Sequence, residues 1–245
     1  MRIALFSDIH ANLPAFEAFF ADVDSRKPDA IYCLGDLVGY NVWPNEVISE
    51  IRKRGIATLA GNHDLKVKGL FTNEQNLIEP GKNHAYHLVT ETGRSYLQSL
   101  PALIRLEFQV NNNPLNILLV HGSPRSIDEY VLEDIEENII SDILKESGAD
   151  ILCGGHSHKP FHRIIKTGET HYKHVINIGS VGKPKDGDSR GCYVMIKIDE
   201  NSTLQDPQSI DVNFIRFEYN VEAASRAIEA SPLPDEFADR LRKAY

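Results

Sequence analysis

Short apolar runs rich in β-branched residues alternate along the chain with stretches whose apolar residues recur every three or four positions. Residues 2–7 (RIALFS), 30–35 (AIYCLG) and 56–61 (IATLAG) read as buried strands. Between the first two, Leu13, Phe16, Phe20 and Val23 mark one face of a helix over about 13–24, with Pro14 in its first turn. "PNEVISEIRKR" is a second helix, and Gly55 is placed to stop it. A helix over 82–99 ends before Pro101. Further on, "LIRLEFQV" and "LNILLV" flank "NNNP", a hairpin signal. "LEDIEENIISDILKE" reads as a helix and "DILCGG" as another buried strand. "GCYVMIKID" and "IDVNFIRFEY" are long alternating strands, which predicts an antiparallel later sheet. Helices near 220–230 and 235–244 follow. The elements predict an α/β fold in one domain over 1–245. It is a four-layer α/β/β/α sandwich of two mixed β-sheets flanked by helices. The irregular stretch 65–81 is expected to form part of a lid.

Composition narrows the class. The chain has 245 residues, 42% hydrophobic and 25% charged, as in an average globular protein. No apolar run approaches the ~20 residues that span a bilayer, and "MRIALFSDIH" lacks the features of a signal peptide. Cys33, Cys153 and Cys192 are widely spaced and sit in apolar runs, so they read as reduced core residues in a cytoplasmic compartment. The net charge of -9 disfavours nucleic-acid or anionic-membrane partners. The two closing helices are expected to serve packing or the contact of a homo-oligomer.

Five buried runs end in residues that bind metals. They lead into Asp8-Ile9-His10, Asp36, Asn62-His63-Asp64, His121-Gly122 and His156-Ser157-His158. In open α/β sheets the carboxyl ends of strands gather at one edge, where ligands bind. Of ten histidines in the chain, five fall in these clusters. The donors are imidazole, carboxylate and amide, without thiolate, which favours Mn, Fe, Zn or Ni at non-structural sites. Two ions about 3.5–4 Å apart need eight ligand places. Seven residues fill them if one carboxylate bridges, and Asp36 stands alone on its strand. Asp8 and His10 are two apart, as are His156 and His158, which on extended chain puts each pair on one side. Gly154 and Gly155 let the backbone come close.

These blocks, "SDIH", "LGDLVG", "AGNHD", "VHGSP" and "GGHSHKP", resemble those of the calcineurin-like metallophosphoesterases, in the same order. "GSVGKPKDGDSRGCY" is similar to a block of the small prokaryotic phosphodiesterase branch. Where that branch has N-P-G-S, this chain has Asn177-Ile178-Gly179-Ser180. The resemblance implies that one ion takes Asp8, His10, Asp36 and His158, and the other Asp36, Asn62, His121 and His156. It implies attack on phosphorus by a metal-bridging hydroxide, with His63 as general acid and Asp64 orienting its ring. Relatives that act on phosphoproteins and dinucleoside tetraphosphates carry Arg after the second block, where this chain has Gly39 and Tyr40. That leans toward a small phosphodiester, with a phosphomonoester or nucleotide as the alternative. Arg125 and Lys159 are candidate cations, and Tyr40 and Trp43 candidate walls for a nucleobase or aryl group. A nuclease would need a basic cleft. A protein-binding scaffold, as in a retromer coat subunit of this fold, would have lost His63. The remaining histidines, His84, His87, His162, His171 and His174, read as structural or exposed.

Overall fold

The computed structural model describes residues 1–70 and 80–245. The middle of the expected lid, 71–79, lies outside them. Two five-stranded sheets pack face to face. In chain order the strands are β1 (Arg2–Phe6), β2 (Ala30–Cys33), β3 (Ala57–Thr58), β4 (Leu103–Val110), β5 (Asn113–Val120), β6 (Ile151–Gly154), β7 (Phe161–Lys166), β8 (Tyr172–Asn177), β9 (Gly191–Lys197) and β10 (Asp211–Phe217). One sheet runs β10-β9-β1-β2-β3 and the other β4-β5-β6-β8-β7. In the first, β1-β2-β3 run parallel and β1-β9-β10 antiparallel; in the second, the central β5-β6-β8 run parallel and the outer pairs antiparallel. The long alternating strands β9 and β10 are antiparallel as expected, but they join the first sheet, beside β1. The second sheet is therefore mixed.

Facing side chains of the two sheets form one core layer, with Ile3, Leu5, Leu119, Cys153 and Val194 among its members. Helix α1 (Leu13–Arg26) and α2 (Pro44–Arg54) cover the outer face of the first sheet through Phe16, Phe19, Phe20 and Val47. The three cysteines are buried and unpaired. No helix of the described residues is long and apolar enough to cross a membrane.

Local chemistry explains the boundaries. Asn12 caps α1 by accepting from the Ala15 amide at 3.2 Å, and Gly55 ends α2 at φ 64°. Asn111 and Asn112 both take positive φ in the two-residue β4–β5 turn. The helix expected over 82–99 is two, α4 (His84–His87) and α5 (Glu91–Gln98), after the one-turn α3 (Asn62–Leu65). Thr90 caps α5 by accepting from Gly93 N, and Asn45 braces the break by bonding Leu88 O and Thr90 N. The helix expected from Leu132 begins only at Glu137 (α6, Glu137–Ser147), because Arg163 takes the carbonyls of Glu133 and Ile135. Two helices close the chain, α7 (Val221–Glu229) and α8 (Glu236–Lys243). They pack on each other and on Tyr40, Val42 and Trp43.

Candidate metal centre

The carboxyl ends of β1, β2, β3, β5 and β6 meet at one edge of the sandwich, and the residues just beyond them converge. The pleat does not aim these side chains. Asp8, His10, Asp36, His156 and His158 all have φ between 51° and 65°. This left-handed backbone costs roughly 1–2 kcal/mol per residue outside glycine and clusters at functional sites. The i, i+2 pairs therefore do not take their directions from an extended strand, since both members of each sit in left-handed backbone. Those loops are tied to one another: Asp8 N donates to Gly35 O, His10 N to Asp36 O and Gly155 N to His121 O, at 2.8–3.0 Å. Gly155 is needed for its size, since a Cβ there would lie 2.7 Å from Asp8 Oδ2.

Donor atoms of Asp8, His10 and His158 lie within 4.8 Å of one another, as do those of Asp8, Asp36 and His121. His158 Nε2 is 3.1 Å and His10 Nε2 3.6 Å from Asp8 Oδ1, while Asp36 Oδ2 is 3.6 Å from His10 Nε2 and 3.4 Å from His121 Nε2. Asn62 Oδ1 is 3.1 Å from His121 Nε2. Asp36 thus touches both groups. The other ring nitrogens face main-chain carbonyls: His10 Nδ1 meets Val38 O, His121 Nδ1 meets Leu34 O, and His158 Nδ1 meets Lys183 O. Such bonds fix the tautomer that leaves Nε2 free to ligate. His156 packs against His121, with 5.1 Å between ring centres, and its Nε2 approaches Asp128 O, which leaves Nδ1 for a ligand. The set fits a cation. Asp8 Oδ1 is buried without a hydrogen-bond partner, and His10 and His158 present Nε2 to Nε2 at 3.2 Å.

The carboxylates and imidazoles of the group shift one another's pKa values. Burial opposes charge on Asp8 and Asp36, yet the surrounding imidazoles hold both well below the usual carboxylate range. Burial also opposes charge on His121, but Asp36 outweighs it and pushes the imidazole up to about 10. His158, where burial dominates, falls to about 4.

His63 stands beside this group, with a donor atom within 4.8 Å of His10 and Asp36. Its Nδ1 meets the Tyr86 hydroxyl at 2.6 Å, and the exposed Lys66 ammonium lies 3.4 Å from its Nε2. Burial drives its pKa far down. The expectation that Asp64 orients this ring needs correcting. The Asp64 carboxylate instead accepts from the amides of Asp36, Leu37, Val38 and Gly61. It clamps the β2 and β3 loops together. Burial and the Asp36 charge raise its pKa to about 7, against those four donors, which favour the carboxylate.

Tyr40 packs on His10 and His63, with ring centres 4.8 and 4.7 Å apart, and on Phe237 of α8. Trp43, in contrast, packs beneath the C-terminal helices. Arg125 is spent on an exposed ion pair with Glu146. His162 and His174 pair with each other at 2.9 Å, away from the centre. Sequence reasoning missed Tyr86, Tyr130, which stacks on His156 at 4.1 Å, and Lys183. Of these only Lys183 carried a signal, lying in the "GSVGKPKDGDSRGCY" block.

Comparison with known proteins places the fold among those already solved. The uncharacterized protein MJ0912 of Methanocaldococcus jannaschii is 29% identical over 98% of this chain and 96% of its own. A metallophosphoesterase from Sphaerobacter thermophilus superimposes with a TM-score of 0.78 at 28% identity, covering 100% of this chain and 99% of its own. The hypothetical protein PH1004 from Pyrococcus horikoshii shares the fold, with a TM-score of 0.75 at 21% identity over 98% and 97% of the two chains. The family profile described as calcineurin-like phosphoesterase matches residues 1–160, and the chain belongs to that family.

Proposed function

We propose that this protein is a dinuclear metal-dependent phosphoesterase acting on phosphodiesters in the cytoplasm. One observation carries the reading: Asp8, His10, Asp36, His121 and His158 bring their donor atoms together, with Asn62 and His156 against His121, and the Nδ1 atoms of three imidazoles are tied to main-chain carbonyls. Asp8, His10, Asp36 and His158 would hold one divalent ion, and Asp36, Asn62, His121 and His156 the other. Bound there, two such ions would lower the pKa of a shared water and take up charge on phosphoryl oxygens. The all-N/O donor set suits Mn, Fe, Zn or Ni.

The chain's own groups supply the rest. His63 acts at the leaving oxygen. Burial keeps it neutral, and in the tautomer whose Nδ1 accepts from the Tyr86 hydroxyl it would offer Nε2–H to the leaving oxygen. Tyr86 keeps its proton because burial raises its pKa. Lys66, 3.4 Å from that nitrogen, adds a second donor on the same side. The diester preference is supported by the aromatic Tyr40, where an arginine would grip a terminal phosphate bidentately.

Purified protein loaded with Mn²⁺, Ni²⁺ or Zn²⁺ tests this on bis(p-nitrophenyl) phosphate and p-nitrophenyl phosphate. The diester should have the higher kcat/KM. Preference for the monoester would overturn the diester assignment. Two bound metals without turnover would overturn the catalytic one.

A further inference from the structure

Lys183 is 1% exposed, as deep as Asp36, and its Nζ has no hydrogen-bond partner. Among the described residues no carboxylate lies within ion-pair distance of it. Its main chain is bolted to the metal centre. The Lys183 amide donates to Ser180 Oγ, whose hydroxyl donates to Asp8 O, and the Lys183 carbonyl faces His158 Nδ1. Its side chain runs to the wall formed by Tyr40, with Nζ 4.7 Å from the ring centre. Half-buried Lys185, two residues on, also lacks an ion pair among the described residues, and it feels the charges of Asp8 and Asp36. Arg240 of α8 reaches the same region, but its charge is met by Glu236.

A buried ammonium without a partner is costly, so charge balance at the centre becomes informative. Two divalent ions would be offset by the buried Asp8, Asp36 and Asp64 together with the hydroxide the ions share, leaving no net charge. A phosphodiester adds one negative charge, which one lysine balances. The pair Lys183 and Lys185 therefore carries one positive charge more than a single phosphate meets, with Lys183 on the Tyr40 side.

We infer that Lys183, supported by Lys185, forms a second anion subsite beside the metal centre, and that the substrate is a phosphodiester bearing a second phosphate group adjacent to the scissile one. This rests on the phosphodiesterase reading for the first phosphate only. The cation-π contact with Tyr40 holds the ammonium in place until an anion arrives.

The test is titration calorimetry on Mn²⁺-loaded protein, with metal content measured. The two probes are methyl methylphosphonate, with one charge, and the P1,P2-dimethyl ester of methylenebisphosphonate, with two. The bisphosphonate should bind about tenfold or more tightly, the scale of one charge-assisted hydrogen bond. Lys183→Met should erase that preference while keeping both metals and the monophosphonate affinity. Lys183→Arg should retain it. Lys185→Met, at a less buried position, should reduce it and guards against a Lys183→Met protein that fails to fold. Equal affinity for the two probes in the natural protein, or a preference that survives both methionine variants, overturns the subsite. Turnover of bis(p-nitrophenyl) phosphate is measured separately. Lys183-dependent binding without turnover would sink the catalytic reading and leave the subsite standing, whereas turnover without preference would sink the subsite alone.

Discussion

The Tyr86 hydroxyl stands 2.6 Å from Nδ1 of His63. The imidazole beside the candidate metal ligands is therefore oriented by a phenol from α4, 23 residues further along the chain, and not by the carboxylate next to it in sequence. Gly39 makes room for this contact, since a Cβ there would lie 2.6 Å from the same nitrogen.

Removing that hydroxyl should cost turnover and little else. Tyr86→Phe is expected to lower kcat about tenfold with KM and metal content unchanged, while His63→Ala should lose roughly 10²–10⁴-fold, the range for general acid–base groups. Steady-state kinetics with metal analysis on both variants checks this. A fully active His63→Ala protein would remove His63 from the chemistry.

Asp36 touches His10 and His121 through one oxygen and accepts the His63 amide at 2.7 Å through the other. Asp36→Ala should empty the centre. Metal analysis after dialysis is expected to find fewer than one ion per chain, against two for the natural protein.

Asp64 serves stability. Asp64→Ala strands four buried amides, and since each unsatisfied buried group costs about 1–3 kcal/mol, a loss of ~3 kcal/mol or more is expected in urea unfolding. Asp64→Asn keeps the shape but brings its own N–H donors against amide donors, so it should recover only part. A variant as stable as the natural protein would return Asp64 to a purely catalytic role.

A pH effect is expected from the His162–His174 pair. Burial, with His162 beside it, lowers the pKa of His174 from its ordinary 6.5 to about 4. Below about pH 6.5 the unfolded chain binds a proton that the folded chain refuses until about pH 4, so stability falls as pH drops through that window. The contribution is on the order of 2 kcal/mol. It should appear as the difference between the urea-unfolding profiles of the natural protein and His174→Gln, absent at pH 7.5 and largest near pH 4.

The candidate ligands were legible as a group because each lies within a few residues of a strand's carboxyl end, and those ends have only one edge of the sheet to go to. What aims them was not legible. The left-handed backbone at Asp8, His10, Asp36, His156 and His158 arises where loops from different strands hydrogen-bond to each other, a property no single segment carries. Asp64 was misjudged for the same reason: its partners at 36–38 lie on another strand. The break at Leu88–Thr90 depended on Asn45, more than forty residues earlier. Tyr86 sits in "HAYH" on a one-turn helix, and nothing local marks it as a catalytic neighbour.

The place of β1 has a consequence for biosynthesis. It is paired on one side with β2, close behind it, and on the other with β9, which begins at Gly191. At a synthesis rate of about 5–20 residues per second, β1 waits roughly 10–40 s with an apolar edge bare. His156 and His158 also emerge long after Asp8 and His10. The nascent chain therefore spends most of its translation as a half-sheet with half a metal centre, and chaperone demand on the ribosome should fall sharply once β9 is released.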